Sequence, residues 1–71
     1  MTVGERLSRA REKLGKTQSE IAAILGKSQP TIHEWETDKS LPKTAEVRAV
    51  AKAYRIKPEA ILPEPRTDDA A

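Results

Sequence analysis

Residues 17–35, TQSEIAAILGKSQPTIHEW, constrain this 71-residue chain more than any other stretch. Thr17 and Glu20 stand three apart ahead of an apolar run. That spacing lets the threonine hydroxyl accept from the backbone N–H at Glu20 while the carboxylate reaches back, a capping box. Ile21, Ala22 and Leu25 then fall on one helical face. Gly26 supplies the left-handed residue that ends a helix, and Ser28 can cap the next one. In that second helix Ile32 and Trp35 are three apart and form its buried edge. Ala22 is small enough to let the two helices approach closely. Two short helices joined by a glycine turn, apolar only where they share a core, are laid out as a helix-turn-helix. That motif mainly serves to set its second helix into a DNA groove.

Composition narrows the alternatives. A chain of this length makes one small domain. It has no cysteine, and so neither a disulfide framework nor a thiolate metal site. The start, MTVGERLSRARE, is charged and amphipathic, which fits neither a signal peptide nor a membrane span. A cytoplasmic protein with no membrane partner is the expectation. The only histidine, His33, lacks the second histidine of a zinc-binding HExxH, since His33-Glu34-Trp35-Glu36 follows instead. No glycine-rich phosphate loop is present. The chain is therefore expected to be no enzyme and to carry no metal or cofactor.

Net charge is +2, from 13 basic and 11 acidic residues, which by itself does not point to nucleic acid. Its distribution is more informative. Residues 1–16 carry Arg6, Arg9, Arg11, Lys13 and Lys16 against Glu5 and Glu12, a net +3. Residues 17–36 are net −2, residues 37–62 net +3, and residues 63–71 net −2. Basic segments thus flank the motif, as phosphate clamps would, although an ordinary solvated surface gives the same pattern.

Along the chain, Thr2 and Glu5 form another capping box, and Val3, Leu7, Ala10 and Leu14 follow a helical repeat that predicts a first helix over residues 3–14. Gly15 ends it. Pro42 disfavours helical geometry at Leu41. A fourth helix is expected over residues 44–54, with Val47, Val50, Ala51 and Tyr54 on one stripe. Lys57-Pro58 marks the start of a short fifth helix, proline suiting the first helical position, and Ile61 and Leu62 would close the core. The remainder, PEPRTDDAA over residues 63–71, has two prolines and no large apolar residue. It is expected to be a disordered tail or linker after a domain of residues 1–62. No strand pattern or repeat is present, so the fold class is all-α.

The stretch from Thr17 to Leu62 resembles the Cro and phage-repressor-like family of helix-turn-helix proteins, often called Xre-type. The matching residues are Thr17-Gln18, Glu20, Ile21 and Ala22, then Leu25-Gly26, Ser28-Gln29, Ile32, Trp35-Glu36, Pro42, Val50-Ala51 and Ile61-Leu62. Arg11 and Leu14-Gly15 extend the likeness to about residues 3–62. Each piece alone is weak; their joint spacing is specific. The resemblance implies a compact five-helix, lambda-repressor-like domain, usually a homodimer on double-stranded operator DNA, that represses or otherwise regulates transcription.

In that family the second helix of the motif lies in the major groove, and its early residues and those one turn later face the bases. Carried onto this chain, these are Gln29, Pro30, His33 and Glu34. The inward pointing of Ile32 and Trp35 agrees, because it leaves that face free. Gln29 can pair with adenine N6 and N7, Pro30 offers apolar contact to a thymine methyl, Glu34 can accept from cytosine N4, and His33 can donate to guanine or a phosphate. The alternative for each is a solvent-facing helix residue, a reading that weighs least at Gln29 and most at His33.

Phosphate positioning falls to Thr17 and Gln18 at the N-terminus of the motif's first helix. Ser28 and Thr31 at the start of its second helix, and Thr37, Lys39 and Lys43 in the loop beyond, complete the candidate set. Thr17 could also serve only as a cap. The resemblance further implies an ion pair between Arg11 and Glu36.

Two features sit uneasily. The reading helix carries Glu34 and Glu36 without Arg or Lys, so affinity would have to come from elsewhere. Pro30 also pushes Gln29 away from helical dihedrals; either Gln29 tolerates strain or the helix starts one residue late.

Other functions fit the same residues. A small helical bundle can be a protein-interaction module, and the modest charge favours that reading. An antitoxin that represses its own operon, or the first half of a longer repressor, would keep DNA binding and use the segment from Pro63 for a protein partner or as a linker. Ile56, Pro58, Ile61 and Leu62 are candidates for sharing with a twofold mate or for filling the core.

Overall fold

Each of the first three helices begins at a hydroxyl side chain that accepts from a backbone amide three residues on. In the computed structural model, which describes residues 1–61, α1 spans Val3–Leu14, α2 Gln18–Leu25 and α3 Gln29–Glu36. The Glu5 amide donates to Thr2 Oγ1 at 3.1 Å, and the Thr2 amide to Glu5 Oε1 at 2.9 Å. Thr17 and Glu20 do the same for α2 at 3.0 and 2.7 Å. Ser28 has no acid to complete a box; its hydroxyl accepts from the Thr31 amide at a long 3.4 Å and lies 3.0 Å from the Thr31 hydroxyl. Gly15 and Gly26 terminate α1 and α2 at φ of 69° and 68°, where a side chain would be strained.

The conflict at Pro30 resolves in favour of the earlier start. Helix α3 includes Gln29, and Pro30 takes its second position. An amide there has no intrahelical acceptor, so the proline loses no ladder bond.

Four α-helices are present among the described residues, and no strand. The expected fifth helix is a single 3₁₀ turn, Pro58–Ala60. Pro58 opens a helix and Pro63 closes one, and the short interval between them leaves no room to secure a second α-helical turn. The expected fourth helix starts later as α-helix: Thr44–Glu46 forms a 3₁₀ turn that leads into α4, Val47–Tyr54. Leu62 and the tail expected at residues 63–71 lie outside the described residues.

Helix α3 packs against both α1 and α2, and α4 closes the other side of α2. Leu7, Ile21, Ala22, Ile32, Trp35, Val47, Val50, Ala51, Tyr54 and Ile61 form the buried core, with Val3, Ala10, Leu25 and Ile56 packed at its margin. Every described position that the helical stripes marked lies in this core except Val3, Ala10, Leu14 and Leu25, which are half-buried rather than enclosed.

A contact that the periodicity does not mark joins α1 to the end of α3. The Asp38 carboxylate accepts from the Gly4 amide at 2.9 Å and from the Thr2 hydroxyl at 2.6 Å. These bonds hold the acid below its ordinary pKa, the Thr2 hydroxyl contributing most. A Cβ at Gly4 would stand 2.6 Å from the Glu36 carbonyl oxygen and 2.8 Å from that of Trp35. Both obstacles are backbone. Gly4→Ala is therefore expected to lower unfolding free energy by about 1–3 kcal/mol, read by urea denaturation. An unchanged midpoint would show that α1 does not press on α3 as described.

Candidate nucleic-acid interface

Helix α3 divides its side chains between two environments. Ile32, Trp35 and Glu36 are buried, whereas Gln29, Pro30, His33 and Glu34 are exposed. The exposed four are one turn apart or adjacent, so they share a face. Together with Lys39 they line one shallow open hollow. Lys39 comes from the loop after α3, where its amide donates to the Glu34 carbonyl at 2.9 Å. The loop thus brings a cation beside the acidic Glu34, offsetting part of the charge that the helix itself lacks.

The buried side of α3 is organised by one carboxylate. Glu36 is 8% exposed. Arg11 Nε donates to Glu36 Oε2 at 2.8 Å and Arg11 Nη2 to Oε1 at 2.9 Å, a fork on a fork. Gln18 Nε2 donates to Oε1 at 3.1 Å, and the buried Tyr54 hydroxyl donates to Oε2 at 2.8 Å. Four helices meet there, α3 giving the acid and α1, α2 and α4 the donors. Burial opposes the charged form most strongly, yet hydrogen bonds from Arg11, Gln18 and Tyr54 outweigh it and hold the Glu36 pKa below the ordinary value. Tyr54 moves the other way: burial, then its bond to Glu36, pushes its hydroxyl far above the usual tyrosine range.

The network continues to the surface. Gln29 Nε2 donates to Gln18 Oε1 at 2.7 Å. Gln18, half-buried at the first position of α2, therefore bridges the buried carboxylate and the exposed glutamine at the first position of α3.

The remaining candidates are distributed as follows. Thr17, Ser28, Thr37, Lys39 and Lys43 are exposed and Thr31 is half-buried. Thr17 and Ser28 act as caps. The Thr37 hydroxyl donates to the His33 carbonyl at 2.8 Å, so in this arrangement its one proton is engaged with α3. The basic residues of α1 are not gathered at the hollow. Arg11 faces Glu36, Arg6 Nη1 donates to the Ala60 carbonyl at 3.1 Å, and Arg6, Arg9 and Lys13 line a separate groove with Arg55 and Ile56.

Sequence reasoning missed the parts played by Tyr54, Asp38 and the Gln18 side chain in this frame. The tyrosine was legible only as one member of an apolar stripe, and nothing local indicates where its hydroxyl ends.

Comparison with known proteins agrees with this geometry. The family profile described as Helix-turn-helix matches residues 7–61. The chain belongs to the Cro and phage-repressor type of this helix-turn-helix family. Among solved structures, the chain is similar to the P22 c2 repressor protein, crystallised in complex with the synthetic operator 9T in the presence of Tl+. The two share 28% sequence identity at a TM-score of 0.82, over 89% of this chain and 96% of the repressor chain. No curated protein sequence matches this helix-turn-helix chain significantly.

Because the folded-state pKa of Glu36 is depressed, its contribution to stability is present above the unfolded value, near 4.5, and is lost as pH falls through the folded value. Melting temperature is expected to hold from neutral pH to about pH 5 and then to fall. Glu36→Ala, which strands Arg11, should cost about 3–5 kcal/mol at neutral pH and flatten the acid limb. A variant that melts like the wild type at neutral pH would exclude the network as a support of the fold.

Proposed function

We propose that this chain is a sequence-specific, double-stranded-DNA-binding transcriptional regulator, a repressor, that lays α3 in the major groove. The observation that carries the proposal is the division of α3. Its inner edge is locked into the core and to Glu36, while Gln29, Pro30, His33 and Glu34 stand together on an open face. Similarity to a repressor crystallised on its operator supports the same reading.

In this reading Gln29 pairs with adenine, Pro30 touches a thymine methyl, Glu34 accepts from cytosine N4, and His33 donates to guanine or a nearby phosphate. At the N-terminus of α2, the Gln18 amide, which has no backbone acceptor within the helix, faces one phosphate, with the Thr17 hydroxyl beside it. Ser28, Thr31, Thr37, Lys39 and Lys43 contact the backbone on either side of α3. Glu34 repels phosphate, so these groups supply affinity while the α3 face discriminates among bases. Two chains related by a twofold axis would read half-sites about 34–36 Å apart.

Selection from a random duplex library at two salt concentrations tests this directly. A palindromic site should emerge, binding should weaken steeply as salt rises, and Gln29→Ala should cost about 1–3 kcal/mol at one adenine position. A folded chain that enriches no sequence at either salt overturns the proposal in favour of a protein-interaction module.

A further inference from the structure

We infer that Lys39 reads the same base pair as Glu34: the carboxylate accepts from cytosine N4 while the ammonium donates to O6 and N7 of the guanine paired with it. The inference rests on the reading of α3 as a base-contacting helix. It moves Lys39 from the groups that hold phosphate to those that determine sequence, and it names the base pair, a C·G, that the second turn of α3 selects.

Three observations bring the two side chains to one target. Lys39 shares the α3 hollow with Gln29, Pro30, His33 and Glu34, although it comes from the loop rather than the helix. Its root is also fixed beside Glu34. The Lys39 amide donates to the Glu34 carbonyl at 2.9 Å and the Asp38 amide to the Trp35 carbonyl at 3.3 Å, the paired bonds of a helix that ends in a left-handed residue. Gly15 and Gly26 end α1 and α2 by the same pattern of bonds. At the end of α3 the left-handed residue is Asp38, φ 64°, which carries a steric cost that glycine does not. Its carboxylate accepts from the Gly4 amide at 2.9 Å and the Thr2 hydroxyl at 2.6 Å, and these bonds hold the turn against α1. Finally, the ion pairs among the described residues are Arg11–Glu36 and Lys27–Glu46. Glu34 and Lys39 therefore share the hollow without joining each other, and both stay available to a third group.

The major-groove edge of a C·G pair offers the N4 amino group of cytosine as donor and O6 and N7 of guanine as acceptors. An ionised carboxylate has only acceptors and an ammonium only donors, so Glu34 and Lys39 match that edge and neither can exchange roles. A T·A pair in the same place presents thymine O4 to Glu34 and the adenine N6 amino group to Lys39. Acceptor then meets acceptor and donor meets donor. A G·C pair fails in the same way, with O6 on Glu34 and N4 on Lys39. An A·T pair keeps one donor and one acceptor in place but sets adenine N7 beside the carboxylate and the thymine methyl where guanine N7 stood, so it ranks second. The two side chains are also neutral together, and the carboxylate enters the negatively charged groove with its counter-charge across the same base pair.

Selection with the full chain and with Glu34→Ala identifies the base pair whose preference depends on Glu34, and it should be C·G. The experiment then measures the affinity ratio between the selected duplex and one carrying T·A at that pair. Loss of a phosphate contact weakens both duplexes alike and leaves the ratio unchanged. Glu34→Ala and Lys39→Met should each reduce the ratio by about tenfold. Lys43→Met, outside the hollow, should keep the ratio and lower the salt slope of binding by about 0.9. Glu34 and Lys39 are exposed, and the bonds that anchor the turn come from the backbone, Asp38 and Thr2, so both variants keep the fold. A ratio that Lys39→Met leaves intact while Glu34→Ala lowers it overturns the inference and leaves the function standing. So does a Lys39→Met loss at a different base pair, or a Glu34-dependent pair other than C·G. Base preferences that survive both Gln29→Ala and Glu34→Ala overturn the inference and the reading of α3 together.

Discussion

The fold depends on one ionised carboxylate held where water cannot reach it. Glu36 sits at the end of α3, its side chain 3% exposed, and accepts from Arg11, Gln18 and Tyr54 on the three other α-helices. Such a charge is costly to bury, and removing a partner leaves an uncompensated ion. The arrangement is tolerable because both oxygens are occupied by donors at 2.8–3.1 Å. It also has a directional effect that apolar packing lacks. Ile32 and Trp35 could slide against their neighbours by fractions of a turn; a forked Arg–Glu pair fixes the rotation of α3 about its axis. The outward face, Gln29 to Glu34, is aimed by what happens on the inward one.

A second clamp acts at the same end of α3. Asp38, in a left-handed conformation at φ 64°, accepts from Thr2 and Gly4 at the start of α1. It supplies an anion to the positive end of that helix while Gly4 lets the two backbones touch. The loop that carries Asp38 also carries Lys39 into the α3 hollow. Stability and surface charge at the candidate interface are thus set by neighbouring residues of one turn. Electrostatics here is local rather than global: net charge is small, and the α1 cations line a different groove.

Much of this was legible in the sequence wherever the physics is local. Thr2 with Glu5 and Thr17 with Glu20 mark helix starts because a capping box needs only residues three apart, and Gly15 and Gly26 mark ends because left-handed dihedrals favour glycine. The core stripes followed from the helical period. The Arg11–Glu36 pairing came from family resemblance; spacing alone gives no reason to join residues so far apart. Tyr54 to Glu36, Asp38 to Gly4 and Gln18 to Gln29 were not legible, because each depends on how helices cross. At residues 57–61 a proline signal was correct about the start of a helical turn and silent about its length, so a 3₁₀ turn stands where a helix was expected.

If Glu36 aims the outer face of α3 at DNA, the contact should be visible residue by residue. Backbone amide shifts of the chain, followed by NMR during titration with its selected duplex, show where the DNA lands. The largest changes should fall on Gln29, His33, Glu34 and Lys39 and on Gln18 and Ser19 at the start of α2, with Arg6, Arg9 and Lys13 little affected. Changes concentrated on the α1 groove around Arg9, Lys13 and Arg55, with α3 silent, would contradict this placement.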